Sequence, residues 1–294
     1  MTGKRSSAQH GTSLRCAARI DRIRIAAHQK VLGPPPPFSE PFRIVRDCLV
    51  RQQTSVRTYR RCREMVNEIT GTRLFWQYDA ARSWLAPWRI TFVADDRGSL
   101  PPADILTTLT HCEKHRLLLV EVAFDFTKES GVDQHFVLGH GVFGKSRPRP
   151  DRGGAGQLRY GSRTSATLVR AYRKATINRY RVELELHSRF LRSQGLNEFR
   201  QLKDLERMLL PSRFRLAALD WGGLDRYLHG RLGEKSQSVL GLVRAKSTSI
   251  HAACEFLRQT GMPNVHRFLK PLPQSAQLQD AINIWATAFE EAVR

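Results

Sequence analysis

Three short stretches put ionisable side chains at every second position. Leu117–Phe126 carries Glu121 and Asp125 in step, with Val120, Val122 and Phe124 on the other parity. Tyr180–His187 carries Arg181, Glu183, Glu185 and His187 in step, with Val182, Leu184 and Leu186 between them. Ala166–Lys174 carries Leu168, Arg170, Tyr172 and Lys174 on one parity. Side chains alternate across a strand, so each stretch reads as a strand with an apolar face and an ionisable face. Any half-exposed sheet has such faces. The unusual feature is the asymmetry: two stretches are acidic and the third is basic with a tyrosine. If the three are neighbours, up to four carboxylates converge. They would raise one another's pKa unless a cation sits among them. An all-oxygen donor set, with no thiol or paired histidine, suits Mg²⁺ or Mn²⁺. Such an ion beside Tyr172, Arg170, Lys174 and Arg181 would equip the face for phosphoryl transfer. The metal polarises a phosphodiester oxygen, the cations offset transition-state charge, and Tyr172 supplies the attacking oxygen. Arg170 and Lys174 are expected to pull the Tyr172 phenol below its ordinary value of about 10.

Positioning these groups takes a sheet. The spacing predicts strands near 88–94, 117–126, 158–161, 166–174 and 180–187, with a turn at 162–165. Pro101-Pro102 opens a helix to about His115, and another covers about 196–210. A polar loop is expected over 127–156. The order implies an α+β fold: a mainly antiparallel five-stranded sheet with helices on one face. Upstream, residues 1–40 read as a basic flexible arm ending in the Pro34–Pro37 run, and 41–70 as a helical segment. Residues 71–212 form the catalytic core and 213–294 a helical region, whose last helix carries Ile282, Trp285 and Phe289.

Charge points to the partner. The 294 residues carry 48 Lys and Arg against 27 acids, a net charge of +21. Residues 1–66 and 145–181 each hold a net +10 and so account for nearly all of it. Two basic zones are an electrostatic footprint for a polyanion, first of all nucleic acid. Ser162, Arg163, Arg159, Lys145, Arg147, Arg149 and Arg152 are the candidate phosphate contacts. The N-terminal zone also resembles a transit peptide in composition, but a DNA arm suits the second zone better. No run approaches about 18 apolar residues, so no membrane helix is expected. Five scattered cysteines without a CxxC pair fit a reducing cytoplasm.

The segments Leu158-Arg159-Tyr160-Gly161-Ser162-Arg163-Thr164-Ser165, Leu168-Val169-Arg170-Ala171-Tyr172-Arg173-Lys174 and Tyr180-Arg181-Val182-Glu183-Leu184-Glu185-Leu186 follow one another in that order. Together they resemble the central signature of rolling-circle replication initiators and relaxases of the Rep_trans type. Val120-Glu121-Val122-Ala123-Phe124-Asp125 resembles the family's upstream acidic strand, although Glu121 stands where the family more often has Asp. Val120 likewise stands where it often has Arg, and Arg173 where Asp or Asn is common. The likeness covers Leu117 to about Leu210. It implies a relaxase-like core and a metal-dependent endonuclease that nicks one DNA strand. Tyr172 would become joined to the 5′ phosphate, with Glu121, Asp125, Glu183 and Glu185 including the metal ligands. It also implies a bacterial mobile element, origin or transfer-origin DNA as partner, a host helicase, and a second copy of the chain. The alternative is a non-catalytic basic protein that recognises an origin or acts as a regulator. Carboxylates repel phosphate, so the acidic face favours the enzyme.

Other residues compete less well. Tyr160 is a second candidate nucleophile. His111 and His115 share a helix face, but no third ligand sits at a useful spacing. His135 and His140 read as loop residues. Gly139-His140-Gly141-Val142-Phe143-Gly144-Lys145-Ser146 lacks the spacing of a phosphate loop. Ser247-Thr248-Ser249 reads as a helix cap, and a helix-turn-helix over Val239–Gly261 is a weak match.

Overall fold

The structure, a computed structural model, describes residues 15–28, 41–49, 58–96, 98–143, 148–150, 156–205, 214–246, 248–262 and 265–294. Its centre is one antiparallel sheet of ten strands, in the order β2-β3-β4-β5-β1-β6-β11-β10-β9-β8. The strands are β1 Cys16–His28, β2 Phe42–Leu49, β3 Tyr59–Asn67, β4 Arg73–Ala80, β5 Trp88–Val93 and β6 Lys114–Phe126. Then follow β8 Pro148–Pro150, β9 Leu158–Tyr160, β10 Thr167–Lys174 and β11 Arg179–His187. A small second sheet joins β7 Gly141–Val142, β12 Arg215–Leu219 and β13 Leu269–Pro271.

The apolar parity of the large sheet forms the main core. Ile23, Ile25, Trp76, Trp88, Ile90, Phe92, Val122, Phe124, Val182 and Leu184 are all buried there. Helices α1 (Pro102–Leu109) and α3 (Ser188–Ser193) cover this face with a 3-10 turn at Phe199–Asp204 and the long C-terminal helix α7 (Pro273–Val293). Helix α7 inserts Leu278, Ile282 and Phe289 into the core. Each such side chain contributes roughly 1.5–3 kcal/mol on burial. A second core lies among α4 (Trp221–Leu232), α5 (Ser236–Lys246) and α6 (Ile250–Gln259), around Leu224, Leu228, Val243, Cys254 and Leu257.

Several sequence expectations change. The sheet has ten strands, not five. Residues Cys16–His28, expected within the flexible arm, form the strand between β5 and β6. Arg19, Arg22 and Arg24 give this segment its basic composition, yet Ile20, Ile23 and Ile25 are fully buried. A bulge between Ile20 and Arg22 breaks the alternation and hides the strand. Residues 41–70, expected as helix, include the antiparallel pair β2 and β3. The supposed helical apolar positions Ile44 and Ile69 are exposed. Cross-strand partners such as Arg63 with Asp47 at 2.9 Å hold the pair instead. The large sheet therefore begins at Cys16 rather than at 71. It also borrows α7 from the region expected to be a separate helical part. The loop over 127–156 contains α2 (Gln134–His140), capped by the Asp133 carboxylate, which accepts from Phe136 N at 2.7 Å. Of the helix expected over 196–210, the described part is the 3-10 turn.

Candidate functional site

Four neighbouring strands build the site by register. Across β6 and β11, Glu121 faces Glu185 and Asp125 faces Arg181. Across β10 and β11, Arg170 faces Glu183 and Tyr172 faces Arg181. Across β1 and β6, Arg22 faces Glu121. Directly opposed residues project from the same face. The structure thus gathers Glu121, Asp125, Glu183, Glu185, Arg170, Tyr172 and Arg181, as the spacing predicts. Lys174 joins from the end of β10 and pairs with Asp96 at 2.7 Å. It also adds Asp21 and Arg19 from β1, two residues the sequence reading assigned to the arm. The alternation of Arg22-Ile23-Arg24-Ile25 was the one signal that could have found this strand.

The cation that converging carboxylates demand comes first from arginine. One Arg170 nitrogen lies 3.0 Å from Glu121 Oε2, 2.9 Å from Glu183 Oε2 and 3.0 Å from Glu185 Oε1. Arg181, fully buried, donates to both oxygens of Asp125 at 2.6 and 2.8 Å, and also to Asp21. Arg19 lies 2.8 Å from Asp21 and 3.3 Å from Asp125. Burial alone would lower the arginine pKa values, but the surrounding carboxylates raise both Arg170 and Arg181.

The Tyr172 hydroxyl donates to Glu183 Oε1. Burial, and then the Glu183 charge, push the phenol well above its ordinary range, outweighing Arg181 and Arg170. This reverses the expected depression: the flanking cations are already spent on carboxylates. The proton stays on Tyr172 and is directed at the Glu183 carboxylate. Burial, then Glu183, holds Glu121 up to about 7.

The Glu121 shift gives a pH prediction. Its folded pKa lies above the unfolded value of 4.5, so the native state binds the extra proton. Stability is then highest below about 4.5 and falls as pH rises to about 7. Glu121→Gln is expected to flatten this decline in urea unfolding followed across that range. A variant with the wild-type slope would mean Glu121 is ionised throughout.

A hard cation fits part of the cluster. Oxygens of Asp21, Glu121 and Glu183 lie within 4.8 Å of one another. Buried Asp21 Oδ1 and Glu183 Oε2 accept no hydrogen bond among the described residues, although each has an arginine in ion-pair reach. All-oxygen donors suit Mg²⁺ or Mn²⁺. This trio contains two of the four expected ligands, Glu121 and Glu183. Asp125 has both oxygens on Arg181, and Glu185 is held by Arg170 and by His187 at 3.4 Å. Asp21 takes their place.

The remaining candidates separate clearly. Tyr160 lies on the apolar face, 1 % exposed, and donates to Val137 O at 2.9 Å, so it is a core residue. His115 accepts from Phe199 N at 3.2 Å, and His140 contacts Ala217 O at 3.1 Å, so both are tied to backbone. Arg159 faces Arg170 across β9 and β10. Ser162 and Arg163 sit on the exposed turn between these strands, and Arg149 is exposed on β8. Lys145, Arg147 and Arg152 lie outside the described residues. Among the described residues, no helix is long and apolar enough to cross a membrane.

Compared with known proteins, the chain matches no family model and no curated sequence. The likeness to rolling-circle initiators rests on its motifs alone.

Proposed function

We propose that the chain is a DNA-nicking enzyme of the rolling-circle initiator or relaxase kind, with Tyr172 as nucleophile. The observation that carries this reading is the Tyr172 hydroxyl hydrogen-bonded to Glu183, amid cations that would suit a phosphate. Glu183 takes the phenol proton as the oxygen attacks phosphorus. The P–O3′ bond breaks, leaving a 5′ phosphotyrosine and a 3′ oxygen that needs a proton. Water supplies that proton, and Glu183 later returns the phenol proton to solvent. Lys174, whose partner Asp96 is exposed, offsets the charge on the phosphoryl oxygens. The phosphotyrosine keeps the bond energy, so the reverse step reseals the strand. Asp21, Glu121 and Glu183 would hold Mg²⁺ or Mn²⁺, which would polarise the phosphate when bound.

The test is relaxation of supercoiled plasmid bearing the cognate origin, with and without Mn²⁺. Glu183→Gln should abolish nicking while single-strand binding survives or tightens, because it removes a base and a repulsive charge together. Wild-type nicking by this variant would reduce the cluster to a solvated ionic face. One observation favours a second reading, a DNA-binding protein without catalysis. Arg170 and Arg181 already neutralise the carboxylates, so the face is complete without an ion. Binding without nicking by the wild-type protein in Mn²⁺ would select that reading.

A further inference from the structure

The edge of β10 is covered by β9 only between Val169 and Ala171. Beyond it, a cleft of about 370 Å³ is lined by Tyr172, Arg173, Tyr180, Gln134, His135 and Gln157. That volume lies in the range of small-ligand sites. The side chains of Gln134, His135 and Gln157 hydrogen-bond to no other described residue. Tyr180 is 8 % exposed, and its buried hydroxyl has no hydrogen-bond partner among the described residues. An orphaned buried hydroxyl is uncommon and asks for a partner. Among the described residues, two unbonded amides, an unbonded imidazole and an orphaned phenol thus share one cleft at the sheet edge. Tyr180 and Tyr172 project to opposite faces, and Tyr172 forms part of the wall where the edge is open.

We propose that this cleft receives the nucleobase beside the phosphate attacked by Tyr172 and reads its edge through Gln134 and Gln157. This rests on the nicking reading above and adds where sequence would be recognised. A carboxamide offers a donor and an acceptor side by side, matching the N6 and N7 edge of adenine. In a single strand this edge is free of a complementary base, and an aromatic wall supplies stacking. Of the charged groups in the lining, Arg173 is turned to Asn178 at 2.9 Å and Asp133 caps α2 by accepting from Phe136 N, which leaves the two amides best placed to read a base.

The test needs no cleavage. Short randomised single strands are bound to the full-length protein, recovered and sequenced, and affinities are measured by fluorescence anisotropy across salt. Wild type should enrich one base at one position, adenine first, by about tenfold. Gln157→Ala and Gln134→Ala should each reduce that enrichment to about twofold or less, while the salt dependence stays put because no phosphate contact is lost. Tyr180→Phe removes only a hydroxyl, so it should melt like wild type yet weaken the preference. A preference that survives in all three variants overturns the cleft and leaves the nicking reading standing. Wild-type binding with no preferred base does the same. Failure of wild type to bind single strands overturns both.

Discussion

Tyr172→Phe should form no covalent protein–DNA adduct on a denaturing gel, under conditions in which the wild-type protein does. The ring remains and its packing is kept. Only the hydroxyl that donates to Glu183 is lost. The loss of one hydrogen bond to a charged group costs about 1.5–3 kcal/mol, so the variant should still fold and bind DNA. Binding without adduct is therefore the expected combination. An adduct formed by Tyr172→Phe would move the nucleophile elsewhere. Tyr160 is then a poor substitute, since burial alone holds its phenol far above the ordinary range and its hydroxyl is tied to Val137.

The largest stability effect should come from Arg181. Its guanidinium is completely buried and grips Asp125 with two hydrogen bonds while also pairing with Asp21. Arg181→Ala removes the main partner of two largely buried carboxylates and leaves them only Arg19 among the described residues. Breaking a buried pair in this way costs about 3–5 kcal/mol, a large fraction of the stability of an ordinary domain. The urea midpoint should fall accordingly. Arg181→Met combined with Asp125→Leu should recover part of the loss, because removing both partners removes the unpaired charge. A single variant within about 1 kcal/mol of wild type would mean that water reaches this lattice. The same figure would then be expected of any surface pair.

The site's three main strands were legible because their alternation is clean. Leu119–Phe126 and Tyr180–His187 keep step throughout, so Glu121, Asp125, Glu183 and Glu185 fall on one face by counting alone. Strand β1 was not legible for a local reason. The bulge at Asp21 shifts the parity between Ile20 and Arg22, and arginines on the polar face mimic an unstructured basic arm. Strands β2 and β3 failed differently. Near the sheet edge, β2 has exposed residues on both faces, so no hydrophobic period survives to be read. The sign of the Tyr172 shift was also missed. Sequence shows which charges lie two residues away, but not that Arg170 would be committed to three carboxylates.

The placement of β1 has a consequence for biosynthesis. This strand is made before any of its partners, yet both its edges are paired in the finished protein, with β5 on one side and β6 on the other. From His28, the ribosome must add the chain through Phe126 before both neighbours exist. At ordinary elongation rates that takes roughly 5–20 s. During that interval, Ile20, Ile23 and Ile25 have no sheet to enter. Asp21 waits still longer for Glu183, so the acidic cluster cannot assemble until β11 emerges. Regions dominated by such distant pairings fold slowly. A chaperone that shields a short amphipathic strand is therefore expected to matter most for this protein during its own synthesis.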